Sequence, residues 1–353
     1  MFTDKIKQPT LVVFKKTAEN NLNKMMRKAV LSNIEFRPHF KTHQSDLTGN
    51  LFKNHGVKKI TVSSVTMAEY FAKSGWKDIT IAFPVNIREW EKIDALAGKI
   101  KLNLLVESVF TTTFLAGKLN NKVNIFIKID TGYHRTGLQI NDPEINTIVE
   151  RIKKTENLNF SGFLTHAGHN YSAIEKAEIL SNMNIAKKQL SLLKKRFPGS
   201  IISYGDTPSC SIAGNCDGFD EIRPGNFIYY DIMQYHLGSC NLEDIAAVVA
   251  CPVVAVYPER EEMVIYGGAV HLSKETIEGD NGFKLFGYVV NFSGNGRTKP
   301  LTASYVSALS QEHGTVKMKK EMLKQYKSGD LIGILPVHSC LAANLLKENI
   351  ILA

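Results

Sequence analysis

Short apolar runs rich in β-branched residues recur along residues 34–230 and alternate with stretches of helical periodicity. Eight of these runs are predicted to be strands: 34–40, 59–63, 78–83, 101–106, 123–129, 160–166, 200–204 and 221–230. Between most of them, apolar residues repeat at the spacing of one helix face, as in 67–73, 89–96 and 174–197. Eight strands that alternate with helices over about 200 residues indicate a (β/α)8 TIM-type barrel.

The pattern changes after residue 240, where strand-like runs follow one another with short turns and one predicted helix, 319–327. These runs are 248–257, 263–270, 284–292, 301–309, 313–318 and 331–335. Such a succession predicts a C-terminal antiparallel β domain. The short run 10–14 precedes the first helix, 17–32, and is placed outside the barrel. We therefore predict a barrel domain at 15–240 and a β domain formed by 1–14 and 241–353.

The end of the first predicted strand carries a candidate nucleophile, Lys41. In an extended segment, Arg37, His39 and Lys41 share one face and apolar side chains occupy the other. Burial and neighbouring positive charge both lower the pKa of a lysine, which makes its amine nucleophilic near neutral pH. Lys41 is therefore a candidate Schiff-base lysine. The alternative is a solvated edge strand, which Pro38 would suit.

The unusual polar residues of the barrel region all follow predicted strands. Lys41 ends the first strand, and the segments 130–135, 166–171, 205–209 and 223–226 lie at the ends of later ones. The catalytic groups of a (β/α)8 barrel lie at the C-terminal ends of its strands. This placement predicts one active site at one rim of the barrel.

Two of these segments predict a phosphate site. Segment 203–209 offers glycine and hydroxyl groups at a strand-to-helix junction, and 223–226 adds backbone N–H groups from the next strand. The ends of the last two strands are a recurrent phosphate site in this architecture. The alternative is a pair of ordinary turns.

Two further loops offer charged or metal-binding groups. Arg135 is suited to pair with an anionic oxygen while Asp130 holds it in place, although a surface salt bridge is the alternative. His166 and His169 have a spacing that occurs in metal sites but also arises often by chance. Neither loop identifies a site alone.

The segment Pro336–Cys340 predicts a metal site. If it is extended, His338 and Cys340 face the same way and can bind one ion. Imidazole and thiolate favour zinc, and two protein ligands leave positions open for water and substrate. A buried thiol beside a hydrogen-bonded histidine is the alternative.

Composition limits the classes of partner and the compartment. The net charge is +9, but the lysines occur in scattered pairs without interleaved aromatic residues, so we expect an anionic small molecule and no nucleic acid. No apolar run has the length of a membrane span, and residues 1–9 are too polar for a signal peptide, so no membrane association is expected. The five cysteines show no scaffold spacing and are expected to be reduced thiols in a cytoplasmic protein.

Seven segments together resemble the D-threonine aldolase and D-serine dehydratase family of fold-type III pyridoxal-phosphate enzymes. They occur in the family's order and span nearly the whole chain: 37–43 (RPHFKTH), 130–137 (DTGYHRTG), 166–171 (HAGHNY), 205–209 (GDTPS), 221–226 (EIRPGN), 312–314 (EHG) and 338–340 (HSC). The resemblance implies an alanine racemase-like barrel with a β domain. It also implies a homodimer with the active site near the subunit interface.

The resemblance also implies the ligands of the cofactor and the metal. Pyridoxal phosphate is expected on Lys41, with Arg135 near its ring and the catalytic Tyr171 beside it. The residues expected around the phosphate are Gly205, Thr207, Gly225 and Asn226. A divalent metal, zinc or alternatively manganese, is expected at His338 and Cys340. Many relatives carry a basic residue where this chain has Gln44, so contacts there are expected to differ.

The expected function is a lyase that acts on D-3-hydroxy amino acids. The second metal ligand is cysteine in the dehydratases and aspartate in some aldolases, so Cys340 favours D-serine dehydratase-like β-elimination over D-threonine aldolase-like retro-aldol cleavage. Three alternatives remain. An amino-acid racemase would need no metal, a non-catalytic pyridoxal-phosphate-binding protein usually lacks a substantial β domain, and a binding protein without cofactor would lack the cofactor's absorbance.

Overall fold

The structure is a computed structural model that describes residues 2–279 and 282–353. It contains two compact units. The barrel unit comprises residues 24–41 and 49–225, and the β unit comprises the described residues of 1–23, 42–48 and 226–353. Residues 1, 280 and 281, which belong to the predicted β domain, lie outside the described residues.

The strands are, in chain order, β1 (Thr10–Val13), β2 (Glu35–Phe36), β3 (Lys59–Val62), β4 (Asp78–Pro84), β5 (Lys101–Val106), β6 (Val123–Lys128), β7 (Leu158–Leu164), β8 (Ile201–Tyr204), β9 (Glu221–Ile222), β10 (Ala247–Tyr257), β11 (Glu262–Tyr266), β12 (Ile277–Glu278), β13 (Lys284–Leu285), β14 (Gly287–Val290), β15 (Phe292–Ser293), β16 (Gly296–Arg297), β17 (Tyr305–Leu309), β18 (His313–Lys317), β19 (Leu331–Pro336) and β20 (Ile350–Leu352). The α-helices are α1 (Lys15–Leu31), α2 (Asp46–Asn54), α3 (Val65–Lys73), α4 (Trp90–Ala97), α5 (Val109–Lys118), α6 (Glu144–Lys153), α7 (Lys176–Arg196), α8 (Thr207–Ile212), α9 (Ile232–His236), α10 (Ala269–Leu272), α11 (Lys320–Leu323) and α12 (Ser339–Leu345).

The barrel unit contains the predicted eight-stranded parallel barrel. Strands β2 to β9 form one sheet, in which β3 to β9 pair in chain order and β2 pairs with β9. The ring closes through a parallel bridge between His39 and Thr61. There, the Phe40 N–H donates to the Thr61 carbonyl over 2.8 Å, and the Thr61 N–H donates to the Pro38 carbonyl over 2.9 Å. The (β/α)8 prediction is confirmed.

The first and last barrel strands are much shorter than the predicted runs 34–40 and 221–230. Both β2 and β9 have two residues, and each ends shortly before a proline, Pro38 or Pro224. Proline has no N–H to donate to a sheet, so the regular ladder stops there.

The β unit is built on antiparallel strands, as predicted. Strands β10, β11, β18, β17, β14 and β19 pair in that order, and β19 returns to β10, so they form a closed ring. Strand β1 pairs antiparallel with β10, which confirms that the run 10–14 lies outside the (β/α)8 barrel. Strand β20 pairs parallel with β1 and was not predicted.

Three elements of the β unit differ from their predictions. The run 263–270 is strand β11 followed by helix α10, and the helix predicted at 319–327 is limited to α11. Helix α12 begins at Ser339, in a segment for which an extended conformation is predicted. Within the described part of the chain, no helix is both long and apolar enough to cross a membrane.

Candidate active site

Lys41 lies five residues beyond the last residue of β2, and hydrogen bonds and packing hold the segment before it. The His39 N–H donates to the Pro224 carbonyl over 2.9 Å. The ring of Phe40 is fully buried, with its centroid 4.8 Å from that of Phe52 and 5.0 Å from that of Trp76. An anchored aromatic residue directly before Lys41 restricts where the lysine side chain can reach.

The predicted environment of Lys41 is wrong in two respects. Lys41 is exposed rather than buried. Arg37 is buried and bonded to two carboxylates, Glu221 at 2.5 Å and Asp78 at 2.6 Å, so its charge is compensated. Alternation does not separate these residues into a cationic and an apolar face, because Pro38 ends the strand.

The positive charge at the barrel rim instead surrounds His166. Burial is the largest cause that lowers the pKa of His166 well below its usual value, and the charges of Lys41, Lys128 and Arg223 add to it. The His166 imidazole donates from Nδ1 to the Gly205 carbonyl over 2.6 Å. His166 is therefore neutral at physiological pH, among three basic side chains that together favour an anionic ligand.

Lys128 is the buried lysine of this site and was missed as a functional residue. It is the last residue of β6 and is 6% exposed. Burial lowers the pKa of Lys128 to about 7, helped by the charges of Arg223 and Arg135 and opposed by those of Asp130 and Glu107. A lysine at the end of an otherwise apolar strand was the available signal.

Arg135 is not held by Asp130, which corrects the prediction for this loop. The Asp130 carboxylate accepts backbone N–H groups from Gly132 and Tyr133 at 3.0 Å and bonds to the His134 imidazole at 3.0 Å. The Arg135 guanidinium lies over the Tyr133 ring, 4.7 Å from its centroid. Asp130 thus shapes the loop, and the ring of Tyr133 supports Arg135.

The predicted phosphate residues of the barrel unit do come together. The Gly225 N–H donates to Thr207 Oγ1 over 3.2 Å, and the Thr207 N–H donates to the Tyr171 hydroxyl over 3.4 Å. A Cβ at Gly205 would lie 2.9 Å from the Cβ of Arg223, so only glycine fits without a shift. The structure thus groups Gly205, Thr207, Gly225 and Tyr171 around the start of α8.

Pyridoxal phosphate fits the residues of the barrel unit. The amine of Lys41 would take its aldehyde, and the charges of Lys41, Lys128 and Arg223 around His166 would balance its negative charge. The backbone packs closely against Arg223 at Gly205 and against Tyr133 at Gly168, where a Cβ would lie 2.3 Å from the ring. These are the features that an anionic aldehyde cofactor requires.

His338 and Cys340 lie in the β unit at the start of α12, so the extended geometry assumed for them is wrong. His338 is the extended residue before the helix, and Cys340 lies in its first turn. The two side chains nevertheless hydrogen-bond to each other. The His338 Nδ1 also bonds to Glu275 Oε2 at 2.7 Å. Burial opposes a charge on His338, but the bonds to Cys340 and Glu275 raise its pKa to about 11.

A buried polar pocket of the β unit surrounds Cys340. The thiol donates to Thr42 Oγ1 over 3.3 Å and accepts from Asn226 Nδ2 over 3.4 Å. Asn226 Nδ2 also donates to Asp231 Oδ2 over 2.6 Å, while Asn226 Oδ1 has no hydrogen-bond partner among the described residues. The side chain of Asn226, a predicted phosphate residue, is thus engaged within the β unit.

The donors around Cys340 fit a zinc-type ion. An imidazole and a thiol that already touch, next to a buried carbonyl oxygen without a partner, supply soft and borderline ligands. Among residues 2–279 and 282–353, no three His, Cys, Asp or Glu side chains are grouped so that they could hold a metal. The imidazoles of His166 and His169 both pack against the Tyr133 ring.

Comparisons with known proteins show which family this chain belongs to. The family described as "Alanine racemase, N-terminal domain" matches residues 15–232, and the one described as "Putative serine dehydratase domain" matches residues 246–352. The D-serine dehydratase of Dictyostelium discoideum is 30% identical over 96% of this chain and 92% of that protein.

Two other relatives have solved structures with the same fold. The D-threo-3-hydroxyaspartate dehydratase from Delftia sp. HT23 superposes with a TM-score of 0.88 at 23% identity, covering 97% of this chain and 93% of that one. A cysteine-to-alanine mutant of that enzyme has been solved in a metal-free form. The D-threonine aldolase from Filomicrobium marinum gives a TM-score of 0.80 at 19% identity, covering 96% and 90%. The match to two family models and to a dehydratase along nearly its whole length shows that this chain belongs to the D-serine dehydratase family of pyridoxal-phosphate-dependent lyases, with an alanine racemase-type barrel.

Proposed function

We propose that this protein eliminates water from D-serine or a closely related D-3-hydroxy amino acid, using pyridoxal phosphate on Lys41 and a divalent metal at His338 and Cys340. The observation that carries the proposal is the hydrogen-bonded pair of His338 and Cys340. This pair is suited to bind a metal. A racemase that works only at Cα needs no such metal, whereas a β-hydroxyl group of the substrate could bind to it. The name of the 30% identical relative supports the same reaction.

The residues of the barrel unit have the following roles in this proposal. Lys41, exposed at the rim, binds the cofactor and removes the Cα proton of the substrate. The bound cofactor supplies an electron-accepting ring for the bond that breaks at Cα. Thr207 and the backbone around Gly205 and Gly225 would hold its phosphate, and Arg135 and Tyr171 would contact the rest of the cofactor. Asn226 is left to contribute its backbone, since its side chain bonds to Asp231 and Cys340.

The metal would supply Lewis-acid chemistry for the β-hydroxyl group of the substrate. His338 and Cys340 would hold it, with zinc preferred over manganese because one ligand is a thiolate. The solved D-threo-3-hydroxyaspartate dehydratase mutant whose form is described as metal-free is consistent with a metal in such an enzyme. We also propose a cytoplasmic homodimer.

Product analysis with the cofactor- and metal-loaded protein tests the reaction. D-Serine should yield pyruvate and ammonia, and chelation with verified loss of metal should abolish this. If D-threonine yields glycine and acetaldehyde while D-serine is inert, the reaction is retro-aldol cleavage and not dehydration. Turnover of L-serine with the D form inert would refute the assignment.

Two variants test the residues. Borohydride reduction and peptide mapping should place the pyridoxyl group on Lys41, and K41A should lose it while K58A, at an exposed lysine, keeps it. C340A should keep its cofactor absorbance and lose metal and turnover. A pyridoxyl label retained by K41A would contradict the assigned lysine.

A further inference from the structure

We propose that Glu275 is a positioning residue that fixes the ring of His338 for metal binding. This inference rests on the proposed function, since it takes His338 as a metal ligand. Glu275 lies outside the segments that resemble known motifs, and its sequence surroundings indicate no role. Its position next to His338 in the β unit indicates one.

The contact between the two side chains selects one ring nitrogen of His338. Glu275 Oε2 lies 2.7 Å from His338 Nδ1. A carboxylate there accepts a proton-bearing Nδ1, so Nε2 is the nitrogen left to bind a metal. Histidine ligands commonly donate their second N–H to a carboxylate, which fixes the ring orientation and increases the basicity of the ligand nitrogen. The pair has the geometry that such an arrangement requires.

The backbone before Glu275 is held in an unusual conformation. Ser273, which follows helix α10, has a φ of 69°, in the left-handed region that non-glycine residues seldom adopt. Its hydroxyl accepts the Glu275 N–H over 3.3 Å. A strained residue whose side chain fixes the next turn is typical of segments that position a functional group. The segment thus aims Glu275 at His338.

A plain surface ion pair is the alternative explanation. The Glu275 side chain is 41% exposed and that of His338 is 23% exposed, so their attraction contributes little stability by itself. The two explanations predict different measurements. A surface pair affects only stability, whereas a positioning residue changes the affinity of the metal.

Zinc affinity of the cofactor-loaded, full-length protein tests the inference. Competition with a chromogenic chelator gives the zinc Kd of wild type, E275A and E275Q. Loss of a carboxylate that supports a histidine ligand raises the Kd by about 10- to 100-fold. We expect that increase in E275A, and a smaller one in E275Q, because glutamine accepts the same hydrogen bond without the charge. The absorption spectrum of the cobalt-substituted protein should also change in E275A.

E278Q is the matched control, because it removes the same charge from an exposed position three residues further along the chain. Its zinc Kd should equal that of wild type. A wild-type Kd and an unchanged cobalt spectrum in E275A would overturn the inference. If E275A does not fold, E275Q decides, and a wild-type Kd there would overturn it as well.

The same titration separates this inference from the proposed metal site. H338A should lose zinc binding altogether. If H338A binds zinc like wild type, the proposed metal site fails and the role of Glu275 fails with it. If H338A loses zinc and E275A does not, only the role of Glu275 is refuted.

Discussion

Replacing Lys128 by methionine is expected to stabilise the cofactor-free protein. Lys128 is 6% exposed at the end of β6. Among residues 2–279 and 282–353, none accepts a hydrogen bond from its amine, and Arg135 and Arg223 repel its charge. A buried charge without a hydrogen-bond acceptor is costly even though Asp130 and Glu107 offset part of the repulsion, and methionine has a similar shape without the charge.

The pKa of Lys128 gives the magnitude of the expected stabilisation. The fall from 10.5 to about 7 is a difference of about 3.5 units, or on the order of 5 kcal/mol. The unfolded chain keeps this proton up to pH 10.5, whereas the folded chain keeps it only below about 7. Between these values the unfolded state binds more protons, so raising the pH increases the stability of wild type by up to about 1.4 kcal/mol per unit. The cost of Lys128 is thus complete below pH 7 and is relieved as the pH rises towards 10.5.

Tryptophan fluorescence during urea unfolding measures this effect, because both tryptophans, Trp76 and Trp90, lie in the barrel unit. The advantage of K128M over wild type should be largest at pH 7 and smaller at pH 9.5. K122M, at an exposed lysine just before β6, is the control and should behave like wild type at both. Equal stability of K128M and wild type at pH 7, or a difference that does not change with pH, would refute the reasoning.

Two further substitutions test the barrel unit. R37M should lower the free energy of unfolding by about 3–5 kcal/mol in the same fluorescence assay, because Glu221 and Asp78 would lose their shared cation. A decrease below about 1 kcal/mol would contradict this account of the ion pairs. G205A should weaken pyridoxal-phosphate binding with little change in secondary structure, because its Cβ would lie 2.9 Å from Arg223 Cβ; a spectroscopic titration that gives wild-type affinity would show that the loop can shift freely.

The sequence was sufficient for the fold because strand periodicity is local. Each of the eight barrel strands coincides with a predicted run. The errors include 34–40 and 221–230, where prolines end the ladder, and 338–340, where α12 begins. The spacing of apolar residues alone cannot distinguish a short extended segment from the first turn of a helix.

The site was predictable where its residues lie in recognisable loops and not where distant residues meet. Lys128 in an apolar strand and Glu275 in a polar segment gain their significance only from neighbours far along the chain. The prediction of a cationic environment for Lys41 was wrong for the same reason. The partners that neutralise Arg37 are 41 and 184 residues away in the sequence.

Arg37 and Lys128 are both buried cations of one barrel, and they differ in how their charge is balanced. Two carboxylates bond to Arg37, whereas Lys128 faces two arginines. A bound anion at the rim would supply the missing negative charge and raise the pKa of Lys128 towards its ordinary value. The stability difference between K128M and wild type at pH 7 should therefore shrink when both are saturated with pyridoxal phosphate. If saturation leaves the stability difference between K128M and wild type unchanged, the negative charge of the cofactor does not act on Lys128. The positive charges around this lysine would then not form part of an anion-binding site.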